Sequence, residues 1–332
     1  MPKEITHIYF SDKLLENLKD LKLYQVISKN IDLYYFGSIA TDTFYYNIKL
    51  PFDKTFFQYG DLVHGANGND TSILWWNFLE DLKKDKENYN EKISFISGFI
   101  THCVMDINFH PYVYYFSGNY FDKNKKERKN AQMRHRLIEA WLDLYVLKKL
   151  NIDLKNFFSI KNAYKNDKIN LSMLYFLCEI AKNSWNLNNT KTIFYNIKRG
   201  YFIQKILNLY IMNNSFFREI FRKINNILRD EIIEYLALFY PDNKENIPDE
   251  IINFNYYLHP FNSEKFSGNI NNIFENAIKQ GFEYLKAIND FLFENKTKEE
   301  LSTILVGYSL DLGLYGVSVE KAKYFSPLKI KP

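Results

Sequence analysis

Histidine is scarce in this chain of 332 residues, yet five of its six histidines fall within the first 135. In His102-Cys103-Val104-Met105-Asp106-Ile107-Asn108-Phe109-His110, a carboxylate stands midway between two histidines. His135-Arg136-Leu137-Ile138-Glu139 repeats half of that pattern. On a helix, positions i, i+4 and i+8 form one stripe. Two such stripes of metal-binding side chains constrain the fold to helices that face one another across a shared polar centre.

The spacing also constrains how ions would be shared. A helix rises about 1.5 Å per residue, which sets His102 and His110 roughly 12 Å apart along the axis. A zinc ligand lies only about 2.0–2.2 Å from its ion. His102 and His110 therefore belong to different ions, and Asp106 can serve one or bridge two. His135 and Glu139, one turn apart, can hold an ion together, with His110 on a neighbouring antiparallel helix as the natural third ligand. His102 and Asp106 must recruit partners from elsewhere. His7, Asp42 and His64 are the upstream candidates, the last two expected in glycine-containing turns where the backbone is free to converge. A single H-x-x-x-D or H-x-x-x-E pair is ordinarily a helix salt bridge. Two such pairs and an extending histidine, in a chain with so few histidines, point to a polynuclear metal site. His259 has no partner at metal spacing and reads as structural.

The rest of the chain is periodic in the helical sense. Helices are expected over 12–27 with Ser11 as N-cap, from Thr71, over 91–110 ending at Pro111, and over 127–150. More follow near 153–165, 169–185, 191–212, 214–239, 269–295 and 297–310. The segment from Ile31 to Phe57, aromatic and interrupted by Gly37 and Pro51, reads as an extended or irregular loop holding Asp42. The expected class is all-α, a multi-helix bundle in one domain over 1–332 with the metal site between helices. The metal-site half is about 1–150 and a helical C-terminal half about 151–332. A weak possible seam lies near 187, at Asn186-Leu187-Asn188-Asn189.

Composition narrows the function classes. A formal charge of +4 without any long Lys/Arg block counts against a nucleic-acid partner. Cys103 and Cys178 make no disulfide framework, and Cys103 reads as a small buried residue. The start Met1-Pro2-Lys3-Glu4 has no apolar segment after it, and no run approaches ~18 apolar residues. Cytoplasmic is the default expectation, with secretion also compatible. The aromatic pairs Phe56-Phe57 and Trp75-Trp76 suit either a lipid-facing mouth or, more simply, core packing.

Taken in order, several motifs resemble the bacterial zinc-dependent phospholipase C family. They are Phe36-Gly37-Ser38-Ile39-Ala40-Thr41-Asp42, His64, Gly98-Phe99-Ile100-Thr101-His102 with Asp106 and His110-Pro111, and Arg134-His135 with Glu139. Together they span roughly residues 1–145. The resemblance implies an all-helical fold, similar to that of the zinc-dependent single-strand nucleases, and three zinc ions. It implies one ion on Asp42, His64, His102 and Asp106, a second on His110, His135 and Glu139, and a third on His7 with Asp106 as bridge. The chain departs from the secreted members in several ways. Those place the amino group of an N-terminal tryptophan on the third ion, whereas this chain starts Met1-Pro2 and reaches His7 early. The interval from Asp106 to His110 is shorter, and Thr43 replaces the aromatic that follows the metal aspartate in choline-binding enzymes.

The chemistry expected of such a site is metal-dependent phosphodiester hydrolysis. Zinc lowers the pKa of bound water from about 15.7 toward ~7 and neutralises phosphate oxygens. Asp42 is the candidate catalytic base. The leading expectation is a phospholipase C type enzyme with two to three zinc ions and a phospholipid or other phosphate-ester substrate, with membrane-surface contact as a further possibility. A zinc-dependent nuclease or nucleotidase, or a zinc-stabilised scaffold without catalysis, are the alternatives. Oligomeric state is left open.

Overall fold

The computed structural model describes residues 3–46, 57–187, 190–241 and 247–330. They form an all-α bundle with one small β-hairpin. α1 (Glu4–Glu16), α2 (Lys22–Lys29) and α3 (Ile31–Ala40) are followed by a 3-10 turn over Thr41–Tyr46, and then by α4 (Phe57–His64) and α5 (Ser72–Lys84). The central pair is α6 (Tyr89–Ser117) and α7 (Lys125–Leu150). Beyond it lie α8 (Phe158–Ala163), α9 (Asp167–Trp185), α10 (Thr190–Ile206), α11 (Ser215–Ile227), α12 (Ile233–Leu236) and α13 (Asp249–Ile252). The antiparallel hairpin β1 (Tyr256–Leu258) and β2 (Lys265–Ser267), α14 (Ile270–Phe293) and α15 (Lys298–Leu301) complete the fold. None of the described helices is long and apolar enough to cross a membrane.

α6 is the axis of the molecule, buried along nearly its whole length. Its closest neighbour is α3, and two glycines set that approach. A Cβ on Gly98 would stand 2.0 Å from the Tyr34 carbonyl oxygen, and one on Gly37 would stand 2.1 Å from that of Phe95. Only hydrogen at both positions lets the two backbones touch. One apolar core then runs from Ile5 in α1 through Phe99 in α6 and Leu174 in α9 to Leu285 in α14 and Leu310 near the C-terminus.

Several local expectations need correction. The segment holding Asp42 is not an extended loop but α3 and its 3-10 extension. Leu33 through Ala40 are buried on every side, so α3 lacks the polar face that would mark it as a helix in sequence. The helix expected over 12–27 is two helices, α1 and α2, separated by Asn17–Leu21. There Asn17 and Leu18 donate to the carbonyls of Leu14 and Leu15, and the tighter turns end α1. Ser11 lies inside α1, with its hydroxyl bonded to the His7 carbonyl instead of capping.

Pro111 does not end α6, which runs on to Ser117. Proline frees the carbonyl four residues earlier, that of Ile107. Gly313, with φ +65, passes so close over this carbonyl that a Cβ would stand 2.5 Å from it. The helix expected over 297–310 is only the single turn of α15. The residues after it form an extended strap that bonds back to the bundle, Ser326 to the Tyr115 carbonyl and Leu328 to that of Phe116. The stretch over 214–239 is also interrupted, after Ile227. Trp75 and Trp76 are core residues, 1 % and 3 % exposed, and line no mouth. Phe56, the side chain of Phe57, and Asn188-Asn189 at the expected seam lie outside the described residues.

Candidate metal centre

Five elements carry the eight predicted side chains. α1 brings His7, the 3-10 turn Asp42, the end of α4 His64, α6 His102, Asp106 and His110, and α7 His135 and Glu139. All eight are buried, at 6 % exposure or less, and Asp106 and His102 are fully sealed. The side chains meet as three groups whose ligand atoms lie close enough to share an ion. These are His7, His102 and Asp106; Asp42, His64 and His102; and His110, His135 and Glu139.

Asp106 is the hub. Its Oδ1 lies 3.4 Å from His7 Nε2 and 3.7 Å from His110 Nε2, while Oδ2 lies 3.0 Å from His102 Nε2 and 3.8 Å from His64 Nε2. Asp42 Oδ1 stands 3.4 Å from both His64 Nε2 and His102 Nε2, and His135 Nε2 stands 2.9 Å from Glu139 Oε1. Two ligands of one tetrahedral zinc, each about 2.1 Å from the ion, are separated by about 3.4 Å. The observed separations scatter around that value.

The backbone fixes which nitrogen faces inward. His102 Nδ1 donates to the Ser38 carbonyl at 2.8 Å, His64 Nδ1 to the Gly60 carbonyl at 2.9 Å, and His110 Nδ1 to the Leu310 carbonyl at 2.8 Å. A carbonyl only accepts, so in each ring Nδ1 carries a proton and Nε2 faces the centre, where the neutral ring has its lone pair. The close approach of the two backbones at Gly37 and Gly98 explains one of these bonds. It draws α3 onto α6, brings Ser38 to His102 and delivers Asp42, one turn later, to the same imidazole.

Charge is concentrated here without ordinary compensation. Burial opposes ionisation of Asp106, yet the imidazoles of His110 and His102 hold it well below the usual carboxylate range. Asp42 is likewise held low by His102 and His64 against its burial. Burial would neutralise His102, but the carboxylates of Asp106 and Asp42 prevail and push it up to about 10. Burial drives His110 and His135 well below the ordinary imidazole range, and His7 down with help from His102, whose ring stacks on it at 3.9 Å.

The residues fit a group of divalent cations. Both ring nitrogens of His7, Nε2 of His102 and of His110, Oδ1 of Asp42 and both oxygens of Asp106 are buried and make no hydrogen bond. Polar atoms in that condition are costly and rare in folded proteins. Here they converge on one another, and a shared cation satisfies them together.

The family model described as zinc dependent phospholipase C matches residues 6–201, more than half of the chain. The chain belongs to the zinc-dependent phospholipase C family. No curated protein and no solved structure matches it. Membership carries zinc dependence and hydrolase chemistry of the phospholipase C type. The matched region includes every one of the eight side chains, and it ends before α11 and the C-terminal strap.

This zinc-dependent phospholipase C relative also uses residues that sequence spacing did not reveal. Asp143 continues the stripe of His135 and Glu139 by one more step of four, a signal available in sequence. It binds no other member of the three groups but caps α1: its carboxylate accepts from Thr6 N at 2.8 Å and Ile5 N at 3.3 Å, and Tyr240 donates to it at 2.7 Å. The helix carrying His7 is thus held by the helix carrying His135. Burial pushes Asp143 up to about 6. Asp311, in the strap, lies 3.6 Å from His110 Nδ1 and accepts from the Tyr114 hydroxyl at 3.1 Å; burial pushes it up to about 6 as well. No periodicity links residue 311 to residue 110. His259 bonds the Leu312 carbonyl and the Phe261 amide, away from the three groups.

Proposed function

We propose that this protein is a phosphodiester hydrolase of phospholipase C type that carries two or three zinc ions and cleaves phospholipids on the glycerol side, giving a diacylglycerol and a phosphorylated head group. The observation that supports it most is the position of Asp106, which stands within 3.8 Å of four imidazoles drawn from three helices.

In this reading His64, His102, Asp42 and Asp106 hold one ion, His110, His135 and Glu139 a second, and His7 with Asp106 a third. Bound zinc supplies Lewis acidity toward the phosphoryl oxygens and acidifies water at neutral pH. The protein side chains do the rest. Asp42, whose Oδ1 makes no hydrogen bond, stays ionised and takes the proton released by the attacking water. The Ser38, Gly60 and Leu310 carbonyls hold a proton on Nδ1 of their imidazoles and turn Nε2 toward the centre. Tyr45, Tyr114 and Tyr120 pack their rings against His64, His110 and His135 and restrict water around them.

The test is release of phosphorylated head group from mixed phospholipids and from short-chain analogues by zinc-loaded protein, with single-stranded DNA and RNA run in parallel. Head-group release abolished by chelation supports the proposal. Nucleic-acid cleavage without head-group release assigns the same centre to a nuclease, and no turnover of either class favours a scaffold.

A further inference from the structure

Three imidazoles of the candidate centre, His64, His102 and His110, are each turned by a backbone carbonyl on Nδ1. His7 has no such tether. It is buried, and neither of its ring nitrogens makes a hydrogen bond. Its ring lies flat against that of His102, with centroids 3.9 Å apart. A stacked contact fixes the plane of a ring and not its position within that plane. The place of His7 Nε2, 3.4 Å from Asp106 Oδ1, is therefore set by where α1 carries its backbone.

α1 does not fix itself. Lys3 occupies its N-cap without a side-chain cap bond, so the first turn lacks a cap of its own. Asp143 supplies one from α7. Its Oδ1 accepts from the Thr6 amide at 2.8 Å and the Thr6 hydroxyl at 2.5 Å. Its Oδ2 accepts from the Ile5 amide at 3.3 Å and the Tyr240 hydroxyl at 2.7 Å. Thr6 immediately precedes His7, and Asp143 follows Glu139 by one turn of α7, about 6 Å along the axis. One carboxylate thus joins the residue before His7 to the helix that carries His135 and Glu139. Tyr240 reinforces the junction: the Lys3 ammonium lies 4.4 Å from the centre of its ring and donates to the Leu238 carbonyl. A fully buried carboxylate is costly unless its oxygens are filled, and three of the four donors that fill this one belong to α1.

We propose that Asp143 is a positioning residue for the metal centre: by capping α1 from α7 it sets His7 against Asp106, and the ion that His7 holds depends on it. The inference rests on the proposed role of His7 as a ligand. Asp143 acts through α1 and is not itself a ligand.

Zinc content, and competitive titration of zinc against a chelator, test this on the full chain with His7→Ala as the reference. Asp143→Ala is expected to weaken the ion that His7→Ala loses by about 10–100-fold, as for other groups that support a metal ligand, and to leave the remaining affinities unchanged. Asp143→Asn keeps an oxygen for Thr6 and should restore that ion. The double variant should bind as many ions as His7→Ala alone, since both changes act through one side chain. A cap with a merely structural role would lower the melting temperature or all affinities together. If Asp143→Ala does not fold, Tyr240→Phe, which removes one donor from the carboxylate, should weaken the same ion and no other. Parent-like affinities in the variant that folds, a loss spread over all ions, an Asp143→Asn chain as poor as Asp143→Ala, or a double variant poorer than His7→Ala overturns the proposal. A parent chain that binds no zinc overturns the metal-centre reading and this inference with it. A parent that binds zinc, with a His7→Ala variant that loses none, overturns this inference alone.

Discussion

His110 on α6 donates its Nδ1 proton to the carbonyl of Leu310, 200 residues further along the chain, at 2.8 Å. One residue on, Asp311 lies 3.6 Å from the same nitrogen. The strap after α15 therefore orients an imidazole of the candidate metal centre, although it lies outside the region that marks the family. A chain ended at Leu187 is expected to lose this support together with α14 and the core around Leu285. Such a fragment should be insoluble or bind no metal, as read by circular dichroism and metal content. A folded, metal-loaded fragment would show that the two halves are separable domains.

The Gly37–Gly98 crossing should tolerate no side chain. Gly98→Ala puts a methyl 2.0 Å from a backbone oxygen, with no flexible neighbour to give way. Overpacking of this kind costs about 3 kcal/mol, and the separation of α3 from α6 should also carry Asp42 away from His102. Gly316→Ala is the control. It has φ +72 and nothing within 4 Å, so only backbone strain of about 1–2 kcal/mol is expected. Denaturant melts of both variants, with metal content on each, measure the contrast.

Asp106→Asn keeps the shape of the hub and removes its charge. Zinc content is expected to fall by at least one ion per chain, and kcat/KM on a short-chain phospholipid by at least a hundredfold, on the scale of losing an electrostatic group from an active site. Unchanged zinc stoichiometry by plasma mass spectrometry would remove Asp106 from the bridging role.

Metal binding should release protons. In the metal-free protein His102 titrates at about 10, so it is protonated at neutral pH, and a ligand imidazole must be neutral. Because the pKa is raised, the proton is held firmly below about pH 10 and competes less as pH rises through that value. Zinc affinity should therefore strengthen with pH, by up to about tenfold per unit for each proton displaced, and level off above pH 10. The same proton stabilises the metal-free fold: its contribution is complete below about pH 6.5 and lost as pH climbs toward 10. Calorimetry of zinc binding in buffers of different ionisation enthalpy counts the protons. A slope of zero would contradict the His102 assignment.

The part of the candidate ligand set on α6 and α7 was legible in sequence because it is periodic. His102, Asp106 and His110 share one helical face whatever surrounds them, and the rise of a helix alone separates His102 from His110. The all-α class followed from the same periodicity. It failed where periodicity carries no information: α3 is buried all round, α1 and α2 share one run of leucines across a turn, and α6 continues through Pro111 because the strap packs over it.

By itself the sequence marked the side chains suited to metal and set five of them, His102, Asp106, His110, His135 and Glu139, on two helices, since that follows from local geometry along one chain. Only the tertiary structure decided what holds those side chains in place. The Ser38 carbonyl on His102, the Leu310 carbonyl on His110, the Asp143 cap on α1 and the close backbone approach of α3 and α6 at Gly37 and Gly98 each join distant segments. Contacts of that kind are fixed by how helices pack against one another, and no spacing within a single helix encodes them.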